Sequence, residues 1–279
     1  MGKPMSSTTR SLIKATFEAY FEDWVRRSRD AKSSLPGKPE ARVRGKSPMG
    51  VAETTCSITT GSDFFPTDQS RREFSAHVLP AFEEIARLVA VDFHDCAVRN
   101  YSITGEVRGS AIDEIEHQVS AYESLATGKG SKPSFSAMVE AVLSANDGPK
   151  LTRSSAVDLF VRKRDGTEVY FEIKSPYPGR PQCLELTRRL LRTHLIRNAR
   201  CPRVQAYFAM AYNPYGPDRA DYKWPYALNY MPFDQVVLIG QEFWSMVGGP
   251  STYLEVLDIY QEVGKEKGKY IVDALAFGF

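Results

Sequence analysis

The order of hydrophobic patterns along this chain predicts a mixed central sheet flanked by helices, the α/β or α+β class. Three observations carry that expectation. Stretches with apolar residues every three or four positions lie towards both ends of the sequence. Two segments of alternating character meet at Asp165-Gly166, a turn-forming pair, and read as a β-hairpin. Two short apolar runs, 204–210 and 235–239, follow a helical segment and read as further, buried strands.

The elements follow in order. Residues 8–29 form an amphipathic helix, since Leu12, Ala15, Phe17, Tyr20, Phe21 and Trp24 recur at roughly helical spacing. The Pro- and Ser-containing basic stretch AKSSLPGKPEARVRGKSPMG, 31–50, breaks it and reads as a loop or arm. A helix returns over 74–90, with Pro80 kinking it or marking a new start. A short strand is expected near 97–103. Ser110, followed three residues later by Asp113, has the spacing of a helix N-cap, so a helix should run over 111–125 with Glu114 in its first turn. Another helix, 135–145, stops before the turn-rich NDGPK. The hairpin strands are 156–162 and 168–173, and an arginine-rich helix follows them. Between the last two strands lies AYNPYGPDRADYKWPYALNYMP, dense in aromatic and turn residues, and helices from Glu242 and Tyr253 close the chain. With no internal repeat, the expectation is one domain over 1–279, carrying a helical arm and basic loop over about 1–70.

Composition excludes several classes. An apolar fraction of 42% beside a charged fraction of 25% is that of an ordinary globular protein rather than a disordered one. No apolar run approaches the ~20 residues a membrane helix needs, and the N-terminus lacks the apolar core of a signal peptide, so the expected location is the cytoplasm. Cys56, Cys96, Cys183 and Cys201 are too widely spaced for a zinc site. His77, His94, His117 and His194 do not cluster either, which disfavours a histidine-based catalytic site. Gly248-Gly249 lacks the remainder of a phosphate loop and reads as a helix end. Net charge is only +2, but RPQCLELTRRLLRTHLIRNARCPR, 180–203, holds seven arginines against the single acid Glu185. Such a helix is either a solvated face or a phosphate-contacting one, and Arg188, Arg189 and Arg192 are the candidates for phosphate contact.

The strongest chemical signal is VDLFVRKRDGTEVYFEIK. Glu172 and Lys174, two apart on a strand, project to one side while Phe171 and Ile173 face the other. Whether Asp158 joins them depends on register. A two-residue turn at Asp165-Gly166 would set Asp158 opposite Ile173, on the wrong face. A three-residue loop, Arg164-Asp165-Gly166 with Gly166 in the left-handed conformation, sets it opposite Glu172. Only the second register makes a site, so the bulged loop is predicted. Apposed carboxylates repel unless a cation lies between them, and an all-oxygen set suits Mg²⁺, with Mn²⁺ as a substitute, better than zinc. Lys174 beside them can hold the attacking water and stabilise developing negative charge, which is phosphodiester hydrolysis chemistry.

These residues carry a resemblance. EIKSPYPG after an Asp-led strand resembles the PD-(D/E)xK nucleases, and YFAMAYNPYGPDRADYKW with QEFWSMVGGPSTYLEVLDIYQEVG resembles the TdeIII-type family of type II restriction endonucleases. The likeness runs from about Phe74 to the C-terminus and is clearest over 157–174 and 207–264. It implies a restriction-endonuclease-like core, catalysis by Asp158, Glu172 and Lys174, and a cognate DNA methyltransferase as functional partner. It also implies double-strand cleavage at a short GC-rich palindrome, GGNCC-like in related members, leaving 5′-phosphates. The same likeness makes Glu114 a further metal ligand, although alone it reads as a helix-terminal acid. Tyr212 and Asn213 are either DNA contacts or turn formers. A palindrome is most simply met by a homodimer on double-stranded DNA. Rival readings are a repair or junction-resolving nuclease and a non-catalytic DNA-binding protein on the same scaffold.

Overall fold

The computed structural model describes residues 3–33, 68–126 and 130–277. Residues 34–50 of the expected basic loop, and Cys56 beyond it, lie outside the described residues. The chain runs α1 (Ser7–Ser33), α2 (Asp68–Phe93), β1 (Cys96–Arg108), α3 (Gly109–Ala126), α4 (Phe135–Ser144), β2 (Lys150–Arg162) and β3 (Glu168–Ile173). It continues α5 (Arg180–Arg197), β4 (Val204–Met210), α6 (Pro225–Tyr230), α7 (Phe233–Val236), β5 (Val237–Ile239), α8 (Gln241–Gly248) and α9 (Thr252–Phe277).

The five strands lie in chain order, β1-β2-β3-β4-β5. The first two pairings are antiparallel and the last two parallel, which is the mixed sheet expected. The antiparallel pairs are local, whereas the parallel β3–β4 pair needs a crossover, and α5 supplies it. One face of the sheet, with Phe160, Tyr170 and Phe208, packs on α3–α7. The other, with Leu159, Val161, Phe171 and Ala209, packs on α1, α2, α8 and α9. β3, central and covered on both sides, accordingly has five buried residues in succession after Glu168.

Several boundaries differ from expectation for physical reasons. Pro80 lies inside one continuous helix, α2. β1 and β2 are longer than the alternation suggested and form a ribbon from Cys96↔Arg162 to Arg108↔Lys150. Ser110 does not cap α3: its hydroxyl exchanges hydrogen bonds with the backbone of Asp147 at 2.7 and 2.8 Å and ties the helix to the start of β2. Residues 235–236 complete a helical turn before β5 begins. α1 is no free arm, since Ile13 and Phe17 are fully buried against α2 and α9. No described helix is long and apolar enough to cross a membrane.

The ribbon contains one break in its two-residue period. Ala97 and Arg99 face the α2 layer, but Tyr101, Ile103 and Val107 face α3–α5. β2 switches likewise, with Val157 in one core and Leu159 in the other. The switch falls at Asn100, whose φ of 50° lies in the left-handed region that Asn tolerates better than most residues. The register places Asn100 across from Asp158.

Candidate active site

The β2–β3 hairpin has the register of the bulged three-residue loop. Leu159↔Phe171 and Arg162↔Glu168 fix it, so Asp158 falls opposite Glu172. Lys163 N–H donates to Thr167 O and Gly166 N–H to Lys163 O, both 2.9 Å, leaving Arg164-Asp165-Gly166 as the three-residue loop. Gly166 has φ +83°, which a Cβ would strain. Asp165 Oδ1 accepts from Thr167 N–H at 2.9 Å and closes the turn.

At Asp158 the two strands part. The Ile173 N–H, which a continuing β2 would otherwise pair, donates to Asp158 Oδ2 at 2.7 Å. Lys174 is held by its own N–H donating to Ala209 O at 3.1 Å on β4, and its Nζ lies 2.5 Å from Asp158 Oδ2 and 3.7 Å from Glu172 Oε2. The three residues expected to form the site are therefore together in the fork between β2 and β3.

Glu172 is the unusual group. It is 1% exposed, and neither carboxylate oxygen has a hydrogen-bond partner of good geometry. Burial, and then the charge of Asp158, push its pKa up to about 7 against the opposing pull of Arg189 and Lys174. A buried carboxylate with both oxygens unbonded, beside a second carboxylate, is a donor set that fits a divalent cation of the Mg²⁺ type. The described residues contain no cluster of three or more His, Cys, Asp or Glu placed to hold a metal, so this pair would rely on water, phosphate or backbone oxygen for its remaining ligands.

A long segment supports the fork from outside. Tyr222 Oη donates to Pro176 O and Trp224 Nε1 to Pro178 O, each at 2.7 Å, pinning the loop that leaves Lys174 for α5. Sequence reading did not single out these two positioning residues. Their only signal was the aromatic density of the segment after β4.

The chain matches the family model described as type II restriction endonuclease, HinfI, over residues 80–264. It belongs to the HinfI family of type II restriction endonucleases. The matched region contains the whole of the fork. Among the relatives of this HinfI-family chain, the type II restriction enzyme HgiEI of Herpetosiphon aurantiacus is 36% identical over 269 residues, 95% of this chain and 93% of HgiEI. HgiBI and HgiCII of the same organism are 40% and 39% identical over 208 and 205 residues, in each case 73% of this chain and 74% of the relative. The protein is a site-specific deoxyribonuclease. The family model that matches is HinfI rather than the narrower TdeIII type, and the type II restriction endonuclease expectation holds.

Other predicted residues of this HinfI-family enzyme are placed differently from one another. Glu114 lies in the second turn of α3 and accepts from Gln118 Nε2 at 2.6 Å on its own helix, and the structure does not gather it with Asp158 and Glu172. The arginine-rich run is largely committed. Arg180 pairs with Glu123, Arg188 with Glu116, Arg197 with Glu168 and Arg200 with Glu140, at 2.5 to 2.7 Å. Arg189 reaches into the fork, 2.8 Å from Glu172 Oε1. The acids that balance this run come from α3, α4 and β3, so a count along the helix missed them. Arg192 and Arg203 have no ion pair among the described residues. Tyr212 packs its ring near Phe82, and buried Asn213 spends its amide on its own loop, donating to Asp218 O at 2.6 Å and accepting from Tyr215 N–H at 3.1 Å. That is turn chemistry. Gly249 caps α8 at φ +114°, a helix end.

Proposed function

We propose that this restriction endonuclease is Mg²⁺-dependent and that its centre is the Asp158–Glu172–Lys174 fork. The observation that carries the reading is buried Glu172, whose unbonded carboxylate oxygens face a second carboxylate and a lysine. Asp158 and Glu172 would hold the ion, with Mn²⁺ a substitute. When bound, the ion supplies a water of lowered pKa and neutralises charge on the phosphate. Lys174 bridges the carboxylates and so stays beside the reacting group, where its ammonium orients the attacking water and stabilises negative charge developing on phosphate oxygen. Water oxygen bonds to phosphorus, the bond to the 3′ oxygen breaks, and the product keeps a 5′-phosphate. Arg192 on α5, with no ion pair among the described residues, is a candidate to take a DNA phosphate away from the fork.

The resemblance of the blocks after β4 supports a short GC-rich, GGNCC-like palindrome as target. Two-fold symmetry of such a target favours a homodimer, each subunit cutting one strand, with a cognate methyltransferase protecting host DNA. Plasmid digestion in Mg²⁺, with the fragment ends sequenced, tests the reading. Discrete fragments sharing one palindromic sequence and 5′-phosphate ends are expected. Cleavage restricted to branched DNA, or intact plasmid bound by protein, would replace it with a resolvase or a binding protein.

A further inference from the structure

Four arginines of the 180–203 run meet their acids through guanidinium hydrogen bonds. Arg189 does not. Its Nη2 donates to the backbone oxygen of Ala156 at 2.5 Å and stands 2.8 Å from Glu172 Oε1, yet Glu172 accepts no hydrogen bond. The contact is a charge held near a charge, lacking the aligned fork that makes Arg–carboxylate pairs strong. It is also the contact that a divalent ion or a phosphate would most easily replace.

With all four groups ionised, the charges of the fork balance: Asp158 and Glu172 against Lys174 and Arg189. A site with no net charge draws a divalent cation weakly. A DNA phosphate changes this by adding negative charge and offering Arg189 another partner, while the Ala156 carbonyl keeps the guanidinium anchored to the strand that bears Asp158.

We propose that Arg189 is a positioning residue that serves as the resident counter-cation of Glu172 and passes to the DNA phosphate, so that the fork takes its metal together with DNA and not before it. The proposal rests on the reading of Asp158 and Glu172 as the metal-holding pair. It assigns Arg189 to the timing of ion uptake, separate from a general role in docking the duplex.

Calorimetric titration of DNA-free protein with Ca²⁺ tests it, comparing wild type with R189Q, R189K and E172Q after thermal unfolding has shown each to be folded. R189Q keeps an N–H donor for Ala156 O and loses the charge, so it should bind Ca²⁺ about tenfold or more tightly than wild type, and R189K should stay within roughly threefold of it. Equal or weaker Ca²⁺ binding by R189Q overturns the proposal. Wild-type protein gives a second reading without mutation: its Ca²⁺ affinity should rise by about tenfold or more once a target duplex is bound. An unchanged affinity also overturns it. E172Q separates this failure from that of the site itself. If duplex-bound E172Q takes up Ca²⁺ as duplex-bound wild type does, the metal pair is misassigned. If E172Q loses Ca²⁺ while R189Q matches wild type, the pair stands and the role of Arg189 falls.

Discussion

Replacing Glu172 by Gln should stabilise the metal-free protein, and only above the acid range. The folded carboxyl titrates at about 7 against an ordinary 4.5, so the folded state holds this proton more tightly than the unfolded one. A raised carboxyl contributes stability that is present below about pH 4.5 and is lost as pH rises to about 7. At ~1.36 kcal/mol per pKa unit, ionising this buried group costs roughly 3 kcal/mol by about pH 8. Gln keeps the shape and removes that cost. For a chain of this length, an unfolding entropy of about 2.1 cal/mol/K per residue turns 3 kcal/mol into a Tm difference of about 5 °C. The assay is thermal unfolding in EDTA from about pH 4 to pH 8. The two proteins should melt together at the acid end, with E172Q about 5 °C higher at the alkaline end. Ca²⁺ alone at about pH 8 should narrow the gap little, because the balanced DNA-free fork takes up the ion weakly and only an ion that binds the folded state stabilises it. A Tm difference independent of pH would refute the reasoning, as would an E172Q protein less stable than wild type at about pH 8. Either would mean that Arg189 and Lys174 outweigh burial, the opposite of the balance that makes this a cation site.

Lys174→Met should leave DNA affinity in Ca²⁺ nearly unchanged and reduce the cleavage rate in Mg²⁺ by orders of magnitude, read by single-turnover kinetics, since the ammonium acts on the reacting group more than on docking. Arg192→Ala should make the dependence of log K on log salt shallower by about 0.9, while Arg188→Ala, whose guanidinium is engaged by Glu116 at 2.7 Å, should change the slope less; filter binding across a salt series reads both. Gly105→Ala should destabilise the fold by about 1–3 kcal/mol in urea unfolding, because its Cβ would meet the Ile196 carbonyl oxygen at 2.7 Å and lift α5, the helix that carries Arg189.

Local pattern determined much of this protein. Alternation and the Asp165-Gly166 turn located the hairpin, and a side-chain period of two allowed only one register to bring Asp158 across from Glu172, so the convergence of Asp158, Glu172 and Lys174 followed from local pattern. The helices that bury one stripe were legible for the same reason, within a few residues at their ends. Three things were decided only by the tertiary structure, each because it depends on partners distant in sequence. The basic run reads as a free cationic face until α3, α4 and β3 bring Glu116, Glu123, Glu140 and Glu168 against it, which gives Arg188 an ion-pair partner within the chain. Tyr212 packs its ring near Phe82, and the amide of Asn213 is engaged by hydrogen bonds within the 213–218 loop. Most consequential is Arg189, whose place in the fork follows from how α5 lies across the ribbon, close enough at Gly105 to exclude a side chain. Hydrophobic periodicity depends on each residue's own side chain and neighbours, so one strand of text contains it. Which charges meet depends on how whole elements cross, and that exists only once the sheet and both helical layers have packed.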